Sequence, residues 1–137
     1  MRKELPILEF DPDPVAMIEP ARLVRPGNVP EHCVICFFQE VIQKVVKDQA
    51  GKRLARRKWE IGQFPLYEIR FHDRRLAFFH PGMGGPMAAG LLEEFIAMGC
   101  RKFIACGGAG AVAANLPLGH LVVPNAAVRD EGTSYHY

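Results

Sequence analysis

The residue types in this chain that could carry chemistry are few. Cys33 and Cys36 form a C-x-x-C, with Cys100 and Cys106 much further along. Two glycine clusters each follow an apolar run: PGMGGP at 81–86 and CGGAGA at 106–111. His80 and His120 stand singly, and Asp130, Glu131 and His136 lie in the final stretch, AVRDEGTSYHY. KRLARRK, 52–58, is the one basic cluster.

Each group has a plain structural alternative. A redox C-x-x-C works best at a helix N-terminus that lowers a thiol pKa, whereas this one lies in CVICFF, which reads as a buried strand. With no second C-x-x-C and no ordered His pair, core packing is the expectation, and no metal site is expected. PGMGGP is neither G-x-G-x-x-G nor a Walker loop, and taken alone it reads as a tight strand-to-helix turn. Two glycine turns flanking one helix are more informative, because glycine lets a backbone approach a ligand closely. KRLARRK is expected to be a solvated face or loop, with an anion contact as the sharper alternative. Asp130, Glu131 and His136 read as loop or strand-end residues, and His80 and His120 as strand-boundary residues.

These groups must be positioned by regular elements. Six prolines in residues 1–31 preclude one regular element there, so that segment is expected to be an extended surface arm. HCVICFF, 32–38, reads as a first strand. QEVIQKVVKDQ follows as a helix with Val41, Ile42, Val45 and Val46 on one stripe. Tyr67–Phe71 and Leu76–His80 read as strands joined at HDRR. MAAGLLEEFIAMG reads as a helix that ends at Gly99, with Glu93 and Glu94 facing outward. KFIAC and HLVVPNAAV, from 120, complete the strands. Strand, glycine turn, helix and strand make a parallel βαβ unit, so both glycine turns are expected on one rim, at the carboxyl ends of strands.

Bulk properties narrow the function classes. At 137 residues the chain suits one domain with a real core. A net charge of +2 gives no dense basic face for nucleic acid. No apolar run reaches the roughly 18 residues that a spanning helix needs. Acidic residues and prolines interrupt the N-terminus before a secretory apolar region forms, so the expected location is the cytoplasm.

The order and spacing of motifs carry a resemblance. GMGGPMAAGLLEEFIAMGCRKFIACGGAGAV, followed by LPLGHLVVPNAAVRDEGTSYHY, is similar to the nucleoside phosphorylase family. That family includes purine and uridine phosphorylases and the methylthioadenosine/S-adenosylhomocysteine nucleosidases. The similarity runs from about Arg70 to Tyr137 and more weakly back to CVICFF. It implies a three-layer α/β/α fold with a mixed central sheet, incomplete at the C-terminus. In this reading residues 1–31 are the arm and 32–137 the N-terminal part of the domain.

The resemblance implies cleavage of the N-glycosidic bond of a nucleoside by phosphate or water, in a homo-oligomer. Phosphate is a possible co-substrate, and no cofactor is implied. It places Gly84, Gly85, Gly107, Gly108, Ala109 and Gly110 on a phosphate and ribose rim by backbone contact, and it names no catalytic side chain. A non-catalytic binding or assembly module is the alternative.

Departures from the family pattern concern phosphate. Where an arginine and a Ser or Thr usually flank the strand-end glycine, this chain has Ala105 and Gly108 around Gly107. PGNVPEH loosely resembles the early G-D-P-x-R loop, with His32 near the arginine place. Gly62 stands where a neighbouring subunit's arginine is usual, leaving Arg53, Arg56 or Arg57 as possible substitutes. The glycine turn resembles the nucleosidase form somewhat better.

Overall fold

A computed structural model of the chain describes residue 5 and residues 11–137. Part of the proline-rich arm therefore lies outside the described residues. Its described part contains one short helix, α1 (Pro20–Leu23), followed by β1 (His32–Cys36) and α2 (Gln39–Asp48). A meander of β2 (Lys52–Trp59), β3 (Gly62–Phe71) and β4 (Arg74–Phe79) comes next. Then follow α3 (Gly85–Met98), β5 (Lys102–Cys106) and a 3₁₀ turn at Ser134–His136.

The strands form one mixed sheet in the order β2-β3-β4-β1-β5. β1 runs parallel to both β4 and β5, while β2–β3 and β3–β4 are antiparallel. The β3–β4 turn is a two-residue hairpin in which His72 and Asp73 both take positive φ, +47° and +60°. Positive φ at both positions is the mirror-image turn whose twist matches the strands it joins.

Strand alternation sends each helix to its own face. Cys33, Leu66, Ala77 and Phe79 face α3, where they pack with Leu91, Phe95 and Cys100. Cys36 and Phe78 face α2 and pack with Ile42. Gly99, at φ +130°, ends α3, and its N–H donates to the carbonyls of Phe95 and Ile96. That left-handed C-terminal position is one glycine occupies at little cost.

Several expectations are corrected. KRLARRK is a strand rather than a loop: as β2 it pairs along β3, and it keeps the expected solvated face, with Lys52, Arg53, Arg56 and Lys58 exposed at the sheet edge, where charge discourages edge-to-edge pairing. Glu94 does not face outward; its carboxylate accepts from Arg57 Nε at 2.7 Å and Arg57 Nη2 at 3.1 Å. Residues 120–128 form no strand, although they are rich in β-branched residues. Leu121 and Val123 are 95% and 92% exposed. Strand propensity is realised only against a neighbour, and this segment has no ladder partner among the described residues.

Candidate functional site

Parallel pairing puts the carboxyl ends of β4, β1 and β5 on one edge of the sheet, so three loops meet there. Phe37 and Phe38 follow β1, His80–Gly84 follow β4, and Gly107–Gly110 follow β5. From adjacent strands, the β1 loop leads to α2 on one face and the β4 loop to α3 on the other. Such a reversal opens a crevice between neighbouring strands, and this is where open α/β sheets bind ligands.

The β4 loop is the tighter of the two glycine turns. Gly82 is buried at φ +76°, and its N–H donates to His80 Nδ1 at 3.0 Å. In that contact Nδ1 is the acceptor. Gly84, at φ +84°, caps α3, and Gly85 is its first residue. A Cβ on Gly85 would stand 2.7 Å from Thr133 Oγ1 and 3.1 Å from Glu131 Oε2, so the 131–134 turn packs directly on this helix end.

That turn is held by Glu131. Its carboxylate accepts the Thr133 N–H at 2.9 Å, the Ser134 N–H at 3.0 Å and the Ser134 hydroxyl. Donation from the Ser134 side chain, then from the Ser134 and Thr133 backbones, holds the carboxyl below its usual range. Arg129 donates to Ser134 Oγ at 2.9 Å and lies over the Tyr135 ring, 5.1 Å from its centroid. Glu131 and Arg129 thus bond within their own segment.

The β5 loop is more open. The Phe37 N–H donates to the Cys106 carbonyl at 3.0 Å, tying the β1 and β5 ends together. A Cβ on Gly107 would meet the Phe37 side chain at 3.3 Å, and one on Gly108 the Phe38 ring at 3.6 Å. One on Gly110 would meet nothing within 4 Å. Ala109 and Gly110 are exposed.

Of the sequence-predicted rim, Gly84 and Gly85 lie at the start of α3 and Gly107, Gly108, Ala109 and Gly110 after β5. The parallel strands bring both groups to one edge. The early loop is corrected: PGNVPEH precedes β1, so His32 sits at the opposite, amino edge of the sheet. The loop that does follow β1 holds the apolar pair Phe37–Phe38. Arg57 is engaged with Glu94, leaving Arg53 and Arg56 exposed on β2. His120 is exposed, and its N–H donates to the Pro117 carbonyl at 3.3 Å.

Sequence reasoning missed a cleft of about 120 Å³ beside this edge. Gln39, Gln63, Tyr67 and His80 line it, with Phe64 and Ile42 as apolar walls. Gln39 opens α2, whereas Gln63 comes from the start of β3, which antiparallel pairing returns to the end of β4. No local spacing announces that meeting. Among the described residues, no group of three or more His, Cys, Asp or Glu is placed to hold a metal ion. Nor is any helix among them long and apolar enough to cross a membrane.

Comparison with known proteins bears on the same elements. The chain is 45% identical over 115 residues to a uridine phosphorylase of Thermococcus kodakarensis, covering 82% of this chain and 40% of that protein. It is 28% identical over 119 residues to a guanosine phosphorylase of Halorubrum lacusprofundi, covering 87% of this chain and 48% of that one. The chain thus spans less than half the length of these curated relatives. A crystal structure of uridine phosphorylase from Vibrio fischeri ES114 superposes with a TM-score of 0.68 at 24% identity, over 83% of this chain and 49% of that one. That likeness concerns the fold, and it agrees with the mixed sheet and its two helix-covered faces. The model of the phosphorylase superfamily matches residues 31–137, from the residue before β1 through both glycine turns, and the chain belongs to that family.

Proposed function

We propose that this chain supplies the phosphate and ribose rim of an enzyme that cleaves the N-glycosidic bond of a nucleoside. The observation that carries the reading is the convergence of two glycine turns at the carboxyl ends of β4 and β5, beside the β1–β4 reversal, in a member of this superfamily. Backbone N–H groups of Gly84, Gly85, Gly107, Gly108, Ala109 and Gly110 act as the donors, as expected where a backbone concavity meets an anion or a sugar hydroxyl. The loops at 37–38, 80–84 and 107–110 contain no lysine or arginine. Any phosphate grip from these loops therefore relies on neutral donors, which are individually weaker than charge-assisted ones.

In phosphorolysis, a phosphate oxygen forms the new bond to the anomeric carbon. The glycosidic bond breaks toward the base, which leaves with the electron pair and takes up a proton. Donors fixed around the phosphate and ribose stabilise the separated charge of the transition state. The names of the curated relatives favour phosphate over water and are divided between uridine and guanosine. Side chains that protonate the base and grip the ribose hydroxyls are expected outside the stretch shared with these relatives. The working enzyme is read as a cytoplasmic homo-oligomer.

The test titrates uridine, guanosine and inorganic phosphate, separately and together, into the ¹⁵N-labelled chain and follows the glycine amides. Shifts at Gly84, Gly107, Gly108 and Gly110 are expected with phosphate and nucleoside together. Unmoved rim amides under every combination would overturn the reading. A second reading, an assembly module, is favoured by Ile104 on the edge strand β5, which is 66% exposed. It predicts a solution mass above that of one chain and no ligand-dependent shifts.

A further inference from the structure

The C-x-x-C spacing suggests Cys33 and Cys36 as a unit, but the strand separates them. Cys33 faces α3 and packs with Cys100, whereas Cys36 faces α2. The partner of Cys36 lies across the sheet: Cys36 and Cys106 are register partners at the ends of the parallel strands β1 and β5. Partners in a parallel ladder share a face, and both residues line one apolar cleft of about 190 Å³ beside α2. Both are free thiols, Cys36 buried and Cys106 exposed.

We propose that Cys36 and Cys106 form a reversible oxidation site, closing to a disulfide when a peroxide reaches the exposed thiol. Adjacent strands lie about 4.8 Å apart. That puts the two Cα atoms inside the roughly 4.4–6.8 Å range that a disulfide spans. Cβ atoms must close to about 3.8 Å, and β5 can make this small movement because, among the described residues, it pairs on one side only. Cys106 is its last residue, next to an open glycine loop.

The chemistry balances in two steps. The Cys106 sulfur attacks one peroxide oxygen, the O–O bond breaks, and a sulfenic acid and one water result. The Cys36 sulfur then attacks the Cys106 sulfur, the S–O bond breaks, and the hydroxyl leaves as a second water with the Cys36 proton. Overall, two thiols and one hydrogen peroxide give one disulfide and two waters. Although Cys106 is largely exposed, partial desolvation of its sulfur against the cleft, then the neighbouring Cys36, raises its pKa, which slows the attack and calls for excess peroxide. Cys33 and Cys100 are both buried in the α3 core, out of reach of an oxidant in solution. The product would fix the spacing between Phe37 and Gly107, the residues that follow the two cysteines.

The test treats the reduced chain with hydrogen peroxide, blocks remaining thiols with iodoacetamide, and maps the peptides by mass spectrometry. The expected result is a Cys36–Cys106 linked peptide, two hydrogens lighter than its reduced parts and released by dithiothreitol. Cys33→Ser should retain this link, and Cys36→Ser should lose it. Cys106→Ser, at an exposed position, should fold normally by circular dichroism and also lose it. Exclusive formation of Cys106 sulfinic acid, a Cys106–Cys106 dimer, or no loss of thiol would each overturn the proposal.

Discussion

On the α3 side of the sheet, Leu66, Ala77, Phe79, Leu91, Phe95 and Cys100 are fully buried, and Phe79 and Phe95 pack with ring centroids 4.5 Å apart. On the α2 side, the buried cluster among the described residues is Cys36, Ile42 and Phe78, and a cleft of about 190 Å³ stays open toward β5. The same five strands supply both surfaces through alternate residues, and the helices that cover them differ as well. The longer α3 packs Leu91 and Phe95 into its face, whereas the ten-residue α2 contributes a single buried residue, Ile42. One side of the sheet holds the fold together. The other leaves an open cleft with Cys36 and Cys106 in its lining.

The sharpest way to break this contrast is to empty each side in turn. Phe95→Ala leaves a cavity among residues that have no room to collapse, and it should cost about 3–5 kcal/mol. Val41, 43% exposed on α2, is the control: Val41→Ala should stay within about 0.5 kcal/mol of the parent. Denaturant midpoints with matched m-values measure both. Equal losses would mean that the α2 side is packed as firmly as the α3 side.

A smaller effect is expected where the meander is clamped to α3. Arg57 engages both Glu94 carboxylate oxygens, and Trp59 Nε1 lies 3.4 Å from each. The paired side chains are 28% and 16% exposed, so the interaction is partly shielded from water. Glu94→Gln keeps the shape, removes the charge and should cost about 1–2 kcal/mol. Thermal unfolding of Glu94→Gln, Arg57→Met and the double variant forms a cycle. Additive losses would show that the pair has no coupling of its own.

Elements set by local rules were legible in the sequence. The α2 stripe, the α3 stop at Gly99, the strands around HDRR and both glycine turns follow from periodicity and backbone freedom. What was hidden depended on distant partners. KRLARRK became a strand only through its pairing with β3, and residues 120–128 stayed irregular for want of a neighbour. At the candidate site, the glycines announced the turns after β4 and β5, but Phe37 and Phe38 looked like strand residues. Gln63 has no signal of its own, since its place beside His80 comes from the β3–β4 register. Likewise, Cys36 and Cys106 are 70 positions apart in sequence and become neighbours only in the parallel ladder.

The smallest predicted effect sharpens the contrast at the opposite end of the sheet, where neither face dominates. Arg75 donates to Glu68 at 2.8 Å through both Nε and Nη2, and to Asn28 Oδ1 at 2.6 Å, linking the β3–β4 hairpin to the segment before β1. Hydrogen bonding from Arg75 holds the Glu68 carboxyl below its usual value against the opposing effect of burial, with further help from Lys52 and Arg70. A carboxylate depressed in the folded state contributes stability above the unfolded value of about 4.3. That contribution is lost as the pH falls through the lower folded value. Solvent screens the pair, because the Arg75 side chain is 35% exposed, so it should be worth less than about 1 kcal/mol. Comparing denaturant midpoints at pH 7 and pH 3, the parent should lose slightly more stability than Glu68→Gln. Asn28 keeps Arg75 in place in both proteins, so the difference reports the Glu68 charge alone, and identical pH responses would remove this ion pair from the account of what holds the hairpin.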